Sequence, residues 1–165
     1  MHGWTGRLLR VDLGSGASTP ATVDPQVLKD YIGGRGLGTY LVNQQVPPRA
    51  DPLGTENILA FCAGPLTGTR VPTGGRSSLS TLSPLTRTMF DSNSGSSFGV
   101  SLKWAGWDAL VVEGVARGPV WLEVNAEGAV LHPAEELWGL EVPETIQAVQ
   151  RAGGAFGSAD SIGLA

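Results

Sequence analysis

Cysteine is almost absent from this chain, since Cys62 is the only one among 165 residues. A single thiol forms no internal disulfide. Alone it also cannot hold an iron–sulfur cluster or a structural zinc ion, which take about four ligands. The sequence therefore excludes a disulfide-stabilised scaffold and a cysteine-bound metal centre built from this chain alone.

Long apolar runs and clusters of positive charge are missing as well. The longest apolar runs, such as 58–63, are far shorter than the roughly 20 residues of a membrane-spanning helix. The N-terminus has no charged stretch followed by an apolar one, so no secretion signal is predicted. A net charge of -4 without a Lys/Arg cluster argues against nucleic-acid binding. We expect a cytoplasmic protein that binds neither membranes nor nucleic acid.

Glycine, by contrast, is abundant, with 24 residues beside 11 prolines. No three-residue period accompanies it, which excludes a collagen-like chain, and a hydrophobic fraction of 41% excludes intrinsic disorder. The extra glycines are expected in turns and where backbone segments approach closely. The length suits one domain with its own core.

Short strand-like and helix-like segments alternate with turn signals, which predicts a mixed α+β domain. The last helix is amphipathic, and the first starts at an Asp-Pro signal. The predicted strands are 7–13, 17–23, 57–63, 76–82, 108–113, 119–124 and 129–132, with another beginning at 161–165, and the predicted helices are 25–31, 37–45, 98–104 and 142–151.

Two Gly-rich segments are candidates for binding an anion. The first, 33–38, precedes a predicted helix, whose N-terminal amides attract anions. Thr39 occupies the third glycine position of a dinucleotide-binding fingerprint, and tight helix packing explains the glycines equally well. In the second, 72–77, Arg76 follows a glycine pair, which suits bidentate recognition of phosphate. An ordinary surface arginine is the alternative there.

A third segment, 89–99, combines serines, one asparagine and glycines between apolar anchors. Its amides and hydroxyls suit phosphate, and the carbonyl oxygen of Asn93 suits a hard cation such as Mg²⁺. A solvated Ser/Gly loop is the alternative. Catalytic patterns are otherwise missing: His2 and His132 lie far apart in the chain, with no catalytic triad order, H-E-x-x-H or Walker motif. The residues alone lead to an α+β domain with an anion-binding face.

Ten short sequence words occur in one order along most of the chain. They are GWTG at 3–6, IGGRGLG at 32–38, PP at 47–48, DPL at 51–53, EN at 56–57, GPLTGT at 64–69, GR at 75–76, SPLT at 83–86, DSNSG at 91–95 and LKWAGWD at 102–108. Together they resemble the N-terminal domain of the tungsten-containing aldehyde ferredoxin oxidoreductase family. So many spaced words are far more specific than any single Gly-rich loop.

The resemblance implies a β-rich α+β domain with two pseudo-twofold-related sheets and short peripheral helices. It also implies a cofactor of two pyranopterin dithiolenes that together hold one tungsten, or molybdenum, atom, with Mg²⁺ bridging their phosphates. Carried over by motif, Asn93 is expected to bind Mg²⁺ through its side-chain oxygen, while Arg76 and Gly95 contact the pterin phosphates. The segment 33–38 is then expected to serve close packing. No catalytic residue is assigned in this chain.

A complete member of the family is implied to oxidise an aldehyde, with water, to a carboxylic acid. The resemblance also implies that two electrons pass from tungsten through a [4Fe–4S] cluster to ferredoxin. We expect residues 1–165 to be the pterin-binding domain, incomplete at its C-terminal end, because the chain stops in an apolar strand-like segment and has no cysteine set for the cluster. The chain alone is therefore expected to be inactive.

The remaining domains or a partner subunit would complete the enzyme, and a homodimer is one assembly left open. A non-catalytic module that keeps the fold and binds another phosphate-bearing ligand or a protein is the alternative.

Overall fold

The computed structural model describes residues 3–95 and 97–152, together with the backbone of 162–164. These residues form nine strands, four α-helices and one 3₁₀ turn at Glu135–Leu137. Every helix and strand predicted from the sequence is present, with ends that shift by a few residues. The elements are β1 (Arg7–Asp12), β2 (Ser18–Thr22), α1 (Pro25–Tyr31), α2 (Gly34–Gln45), β3 (Ile58–Ala63), β4 (Arg76–Leu82), β5 (Met89–Gly95), α3 (Ser97–Trp104), β6 (Ala109–Glu113), β7 (Val120–Val124), β8 (Ala129–Pro133), α4 (Val142–Arg151) and β9 (Ile162–Leu164).

Two sheets make up the β structure of the described residues. The larger sheet has the strand order β2-β1-β6-β3-β4-β5, in which β1 and β6 run parallel and all other neighbours antiparallel. The smaller sheet has the order β8-β7-β9 with antiparallel pairs. The mixed α+β fold with two sheets and short helices is thereby confirmed, while a pseudo-twofold relation between the sheets stays a prediction.

The centre of the larger sheet is buried on both faces. Along β6, the residues from Ala109 to Val112 are at most 9% exposed, and such a continuous apolar run is typical of a strand covered on two sides. Burying one leucine contributes about 1.5–3 kcal/mol, so the two apolar clusters stabilise the fold. One cluster joins the sheet to α1 and α2 (Leu8, Val23, Leu28, Leu37, Leu41, Val42, Ile58, Ala60, Cys62, Ala109, Val111), and the other joins it to α3 and the smaller sheet (Leu9, Val11, Leu102, Ala105, Trp107, Leu110, Val112, Leu122, Val124).

A buried ion pair links α3 to the start of β6. The ammonium group of Lys103 donates to one carboxylate oxygen of Asp108, and the Gly6 amide donates to the other at 2.7 Å. Asp108 is fully buried, and the Lys103 side chain is 10% exposed. Because each carboxylate oxygen has a donor, the buried charge is compensated. The contact therefore fixes the N-terminal segment, α3 and β6 relative to one another.

Residues 89–95 form a strand, β5, and the interpretation of this stretch as a loop is wrong. Its composition suggested a loop because Ser, Asn, Asp and Gly are depleted in strands. The strand forms because β4 offers a full row of backbone partners, and the two strands pair over seven residues. Most side chains of β5 stay exposed at the edge of the sheet, where polar residues are tolerated.

Helix α2 begins at Gly34, three residues before the predicted start at position 37. Gly33 turns the chain from α1 into α2 with a φ of 146°, a conformation that glycine adopts readily. A Cβ atom on Gly33 would lie 2.7 Å from the carbonyl oxygen of Ala63. The close approach to β3 therefore requires glycine at this position. The predicted end of the last helix at 153–154 lies outside the described residues.

Candidate functional site

The candidate site lies at one end of the β4–β5 strand pair. The antiparallel register sets Arg76 opposite Gly95. Two residues further along β4, Ser78 stands opposite Asn93. Because side chains two residues apart on a strand share a face, these four residues lie on the same side of the sheet. The side is the one that α2 covers, since a Cβ on Gly34 would lie 3.5 Å from Ser78 Oγ.

The backbone around Arg76 is anchored by the preceding loop. The Thr67 hydroxyl donates to the Arg76 carbonyl at 3.0 Å and accepts from the Gly64 amide at 3.0 Å. A Cβ on Gly74 would lie 2.9 Å from the carbonyl oxygen of Leu66, so the loop folds tightly onto itself. The guanidinium group of Arg76 is exposed and forms no hydrogen bond or ion pair with any described residue. Its donors are therefore available to a ligand.

The side chain of Asn93 is oriented by its neighbour across the strand pair. Ser78 Oγ donates to Asn93 Oδ1 at 2.7 Å. Asn93 is exposed, whereas Ser78 is only 6% exposed. At Gly95, a Cβ would lie 4.0 Å from the Arg76 guanidinium carbon, so the guanidinium group lies directly beside Gly95. The three predicted residues Arg76, Asn93 and Gly95 thus lie together on one face.

An ion pair with Arg35 offsets the negative charge of Asp91 next to this site. Asp91 is the only carboxylate in β5 and lies two residues before Asn93, on the same face. Arg35 Nε, in the first turn of α2, donates to Asp91 Oδ2 at 2.7 Å. With Asp91 neutralised, Arg76 supplies the unbalanced charge of this strand end, and an anion is electrostatically favoured there.

The glycines of segment 33–38 serve packing. A Cβ on Gly36 would lie 2.1 Å from the carbonyl oxygen of Tyr31, and one on Gly38 would lie 2.2 Å from Ser80 Oγ. Both contacts are too short for any side chain to occupy the position without a shift of its surroundings. Of the two sequence interpretations of this segment, the structure supports close packing.

Two other reactive side chains that the structure describes, Cys62 and His132, have structural surroundings. Cys62 is fully buried, and burial together with the charge of Asp108 raises the pKa of its thiol, which keeps it protonated. His132 stacks on Trp121 with 4.1 Å between ring centroids and contacts Glu123 at 3.0 Å. His2 lies outside the described residues. Among the described residues, no three His, Cys, Asp or Glu side chains are grouped to hold a metal ion.

The sequence of this chain matches a known protein family over nearly its whole length. The family described as "Aldehyde ferredoxin oxidoreductase, N-terminal domain" matches residues 8–165. The chain belongs to this family. The resemblance drawn from the ten sequence words is confirmed. None of the described helices of this aldehyde ferredoxin oxidoreductase N-terminal domain has the length and apolar character to cross a membrane.

Curated relatives of the domain include tungsten-containing aldehyde ferredoxin oxidoreductases. It is 44% identical over 145 residues to the tungsten-containing aldehyde ferredoxin oxidoreductase of Pyrococcus horikoshii, covering 88% of this chain and 24% of the relative. The protein of the same name from Pyrococcus furiosus is 43% identical over 155 residues, with coverages of 94% and 26%. A P. furiosus protein named aliphatic sulfonate oxidoreductase, WOR-like subunit, is 35% identical over 143 residues, with coverages of 85% and 23%. The chain thus spans about a quarter of the length of these relatives.

A solved structure supports the same fold for the aldehyde ferredoxin oxidoreductase domain. It is the active site complex BamBC of benzoyl coenzyme A reductase in complex with 1,5-dienoyl-CoA. The TM-score is 0.88 at 32% sequence identity, and the match covers 92% of this chain and 23% of that chain. The two-sheet arrangement is therefore shared with part of a much larger protein.

Sequence reasoning missed two contributors to the site of this aldehyde ferredoxin oxidoreductase domain. Ser78 belongs to the face of Arg76 by its two-residue spacing, which was visible once 76–82 was predicted as a strand. No local sequence pattern indicates the pairing of Arg35 with Asp91, because the two residues are 56 positions apart. Only the packing of α2 on β5 brings those two charges together.

Proposed function

We propose that this domain holds the phosphate end of a tungsten-bound bis-pyranopterin cofactor, with Mg²⁺ between the phosphates. The observation that carries the proposal is the convergence of Arg76, Asn93 and Gly95 on one face of the β4–β5 end. A free guanidinium group offers two parallel donors that match phosphate oxygens. A carboxamide oxygen is a preferred ligand for a hard cation, and glycine lets a ligand approach the backbone closely. The donor set therefore fits phosphate and Mg²⁺ together.

In this proposal, each residue of the candidate site has a defined role. Arg76 binds and orients a phosphate, Asn93 ligates Mg²⁺ through Oδ1, and the backbone at Gly95 contacts the phosphates. The ion pair of Arg35 with Asp91 keeps a carboxylate from repelling the anionic ligand. When bound, the metal–pterin group supplies two-electron redox chemistry, and the protein supplies position and electrostatics.

We propose further that the complete protein oxidises an aldehyde, with water, to a carboxylic acid and passes electrons through a [4Fe–4S] cluster to ferredoxin. Support comes from the names of the relatives, of which this chain spans about a quarter. Residues 1–165 are accordingly proposed to be one domain of that protein. The cluster ligands and the substrate pocket would come from the remaining domains or from a partner subunit.

The proposal is tested by measuring tungsten and magnesium in the purified complete protein that contains this domain. Arg76→Ala is expected to lower tungsten and magnesium per chain about tenfold or more, because a hydrogen bond to a charged group contributes about 1.5–3 kcal/mol. Arg117→Ala, an equal charge change on the exposed loop before β7, is the control and should match the unchanged protein. Full metal content in Arg76→Ala would contradict the proposal. If that variant instead loses only a protein contact, the non-catalytic binding module gains support.

A further inference from the structure

We propose that Ser78 is a positioning residue that orients the carboxamide of Asn93 for the cation. The inference rests on the proposed function, because it assigns the support of one of the ligands named there. The contact that carries it is the hydrogen bond of 2.7 Å from Ser78 Oγ to Asn93 Oδ1. A carboxamide has a carbonyl oxygen and an amino group of nearly equal size, so its two orientations must be distinguished by hydrogen bonds.

The surroundings of Ser78 make this contact directional. Ser78 is 6% exposed, because the first turn of α2 closes over it at Gly34. Among the described residues, Asn93 Oδ1 is the only acceptor for the hydroxyl of Ser78. Since a buried hydroxyl without an acceptor is costly, the hydroxyl donates and selects Oδ1 over Nδ2.

The selected orientation leaves Asn93 suited to bind a cation. A carboxamide oxygen carries two lone pairs, of which Ser78 occupies one and leaves the other for Mg²⁺. Hydrogen-bonded partners of metal ligands are known to fix ligand orientation, and their removal lowers metal affinity by about 10–100-fold. The exposed position of Asn93 beside the buried Ser78 is the arrangement expected of a ligand and its support.

The test measures how firmly the complete protein retains magnesium. Magnesium per tungsten is determined after dialysis against increasing EDTA. Ser78→Ala should lower the EDTA concentration that removes half of the magnesium about tenfold. The control is Ser92→Ala, an exposed serine of β5 on the opposite face from Asn93, which should leave that concentration unchanged.

A double-variant cycle separates positioning from a direct ligand role. Asn93→Ala should lose the magnesium, and adding Ser78→Ala should change nothing further, because Ser78 acts through Asn93. If Asn93→Ala loses magnesium but Ser78→Ala does not, the positioning role is wrong and the proposed function stands. If Asn93→Ala keeps its magnesium, the magnesium site of the proposed function fails, and the role of Ser78 fails with it.

A matched pair of variants isolates the hydroxyl from shape and folding. Ser78→Thr keeps a hydroxyl and Ser78→Val does not, although both are β-branched and nearly equal in volume. The threonine variant should retain magnesium about tenfold more firmly than the valine variant at equal thermal unfolding midpoints. Equal retention in the two variants would overturn the positioning role.

Discussion

The central strands of the larger sheet are mainly apolar, whereas the β4–β5 pair at its edge is mainly polar. In the central strands β6 and β3, the side chains are almost all apolar, and the four residues 109–112 of β6 are all buried. In the edge pair, β4 reads RSSLSTL and β5 reads MFDSNSG. Hydroxyl, amide and charged groups replace the aliphatic ones there. The centre stabilises the fold by burying apolar side chains, whereas the edge pair combines buried hydroxyl groups in β4 with exposed polar groups in β5 that a ligand can reach.

The comparison predicts a large difference in sensitivity to truncation. Leu110→Ala in β6 removes a fully buried side chain and should lower the free energy of unfolding by about 3 kcal/mol. Ser92→Ala in β5, at an exposed position, should change it by less than about 0.5 kcal/mol. Urea denaturation followed by circular dichroism measures both. A loss of similar size in the two variants would show that the edge pair contributes to the core as the centre does.

Helix α2 packs on both the central strand β3 and the edge strand β4, and its contact with β4 predicts an intermediate effect. In most helix interiors, Gly→Ala stabilises by about 0.5–1 kcal/mol. Gly38→Ala should instead destabilise by about 1–3 kcal/mol, because the new methyl group would meet Ser80 Oγ at 2.2 Å.

The partner variant Ser80→Gly tests the cause. It removes the atoms that clash, so Gly38→Ala/Ser80→Gly should be more stable than additivity of the two single variants predicts. Strict additivity would mean that other parts of the structure shift to accommodate the methyl group, and that α2 packs less tightly on β4 than the distances indicate.

A small effect on stability is expected at the charge pair of the edge. Arg35→Ala breaks an exposed ion pair with Asp91 and should change the free energy of unfolding by about 1 kcal/mol or less. Its effect on the complete protein should be clearer, because an uncompensated carboxylate then faces the phosphate site. Tungsten per chain should fall, and Arg35→Ala/Asp91→Asn should restore it. A double variant that holds no more tungsten than the single one would contradict this electrostatic role.

Part of the candidate site followed from the sequence and part did not. Arg76, Asn93 and Gly95 were named from motifs and from the chemistry of guanidinium, carboxamide and bare backbone. Their arrangement does not follow from the motifs, because the composition of residues 89–95 is typical of a loop. These residues form a strand because pairing with β4 outweighs the low intrinsic preference of Ser, Asn and Gly for strands. The spacing along β4 places Ser78 on the face of Arg76, but its partner Asn93 is defined only by the register of the two strands.

By itself, the sequence determined the α+β class, the order of helices and strands, and the family. Apolar periodicity and turn residues act over a few positions, and family words can be read directly along the chain. Only the tertiary structure decided that Ser78 supports Asn93, that Arg35 neutralises Asp91 and that Gly38 must lack a side chain. Each of these depends on residues distant in the chain meeting across a strand pair or a helix–sheet contact. Such meetings are set by the packing of the whole domain, and no local pattern encodes them.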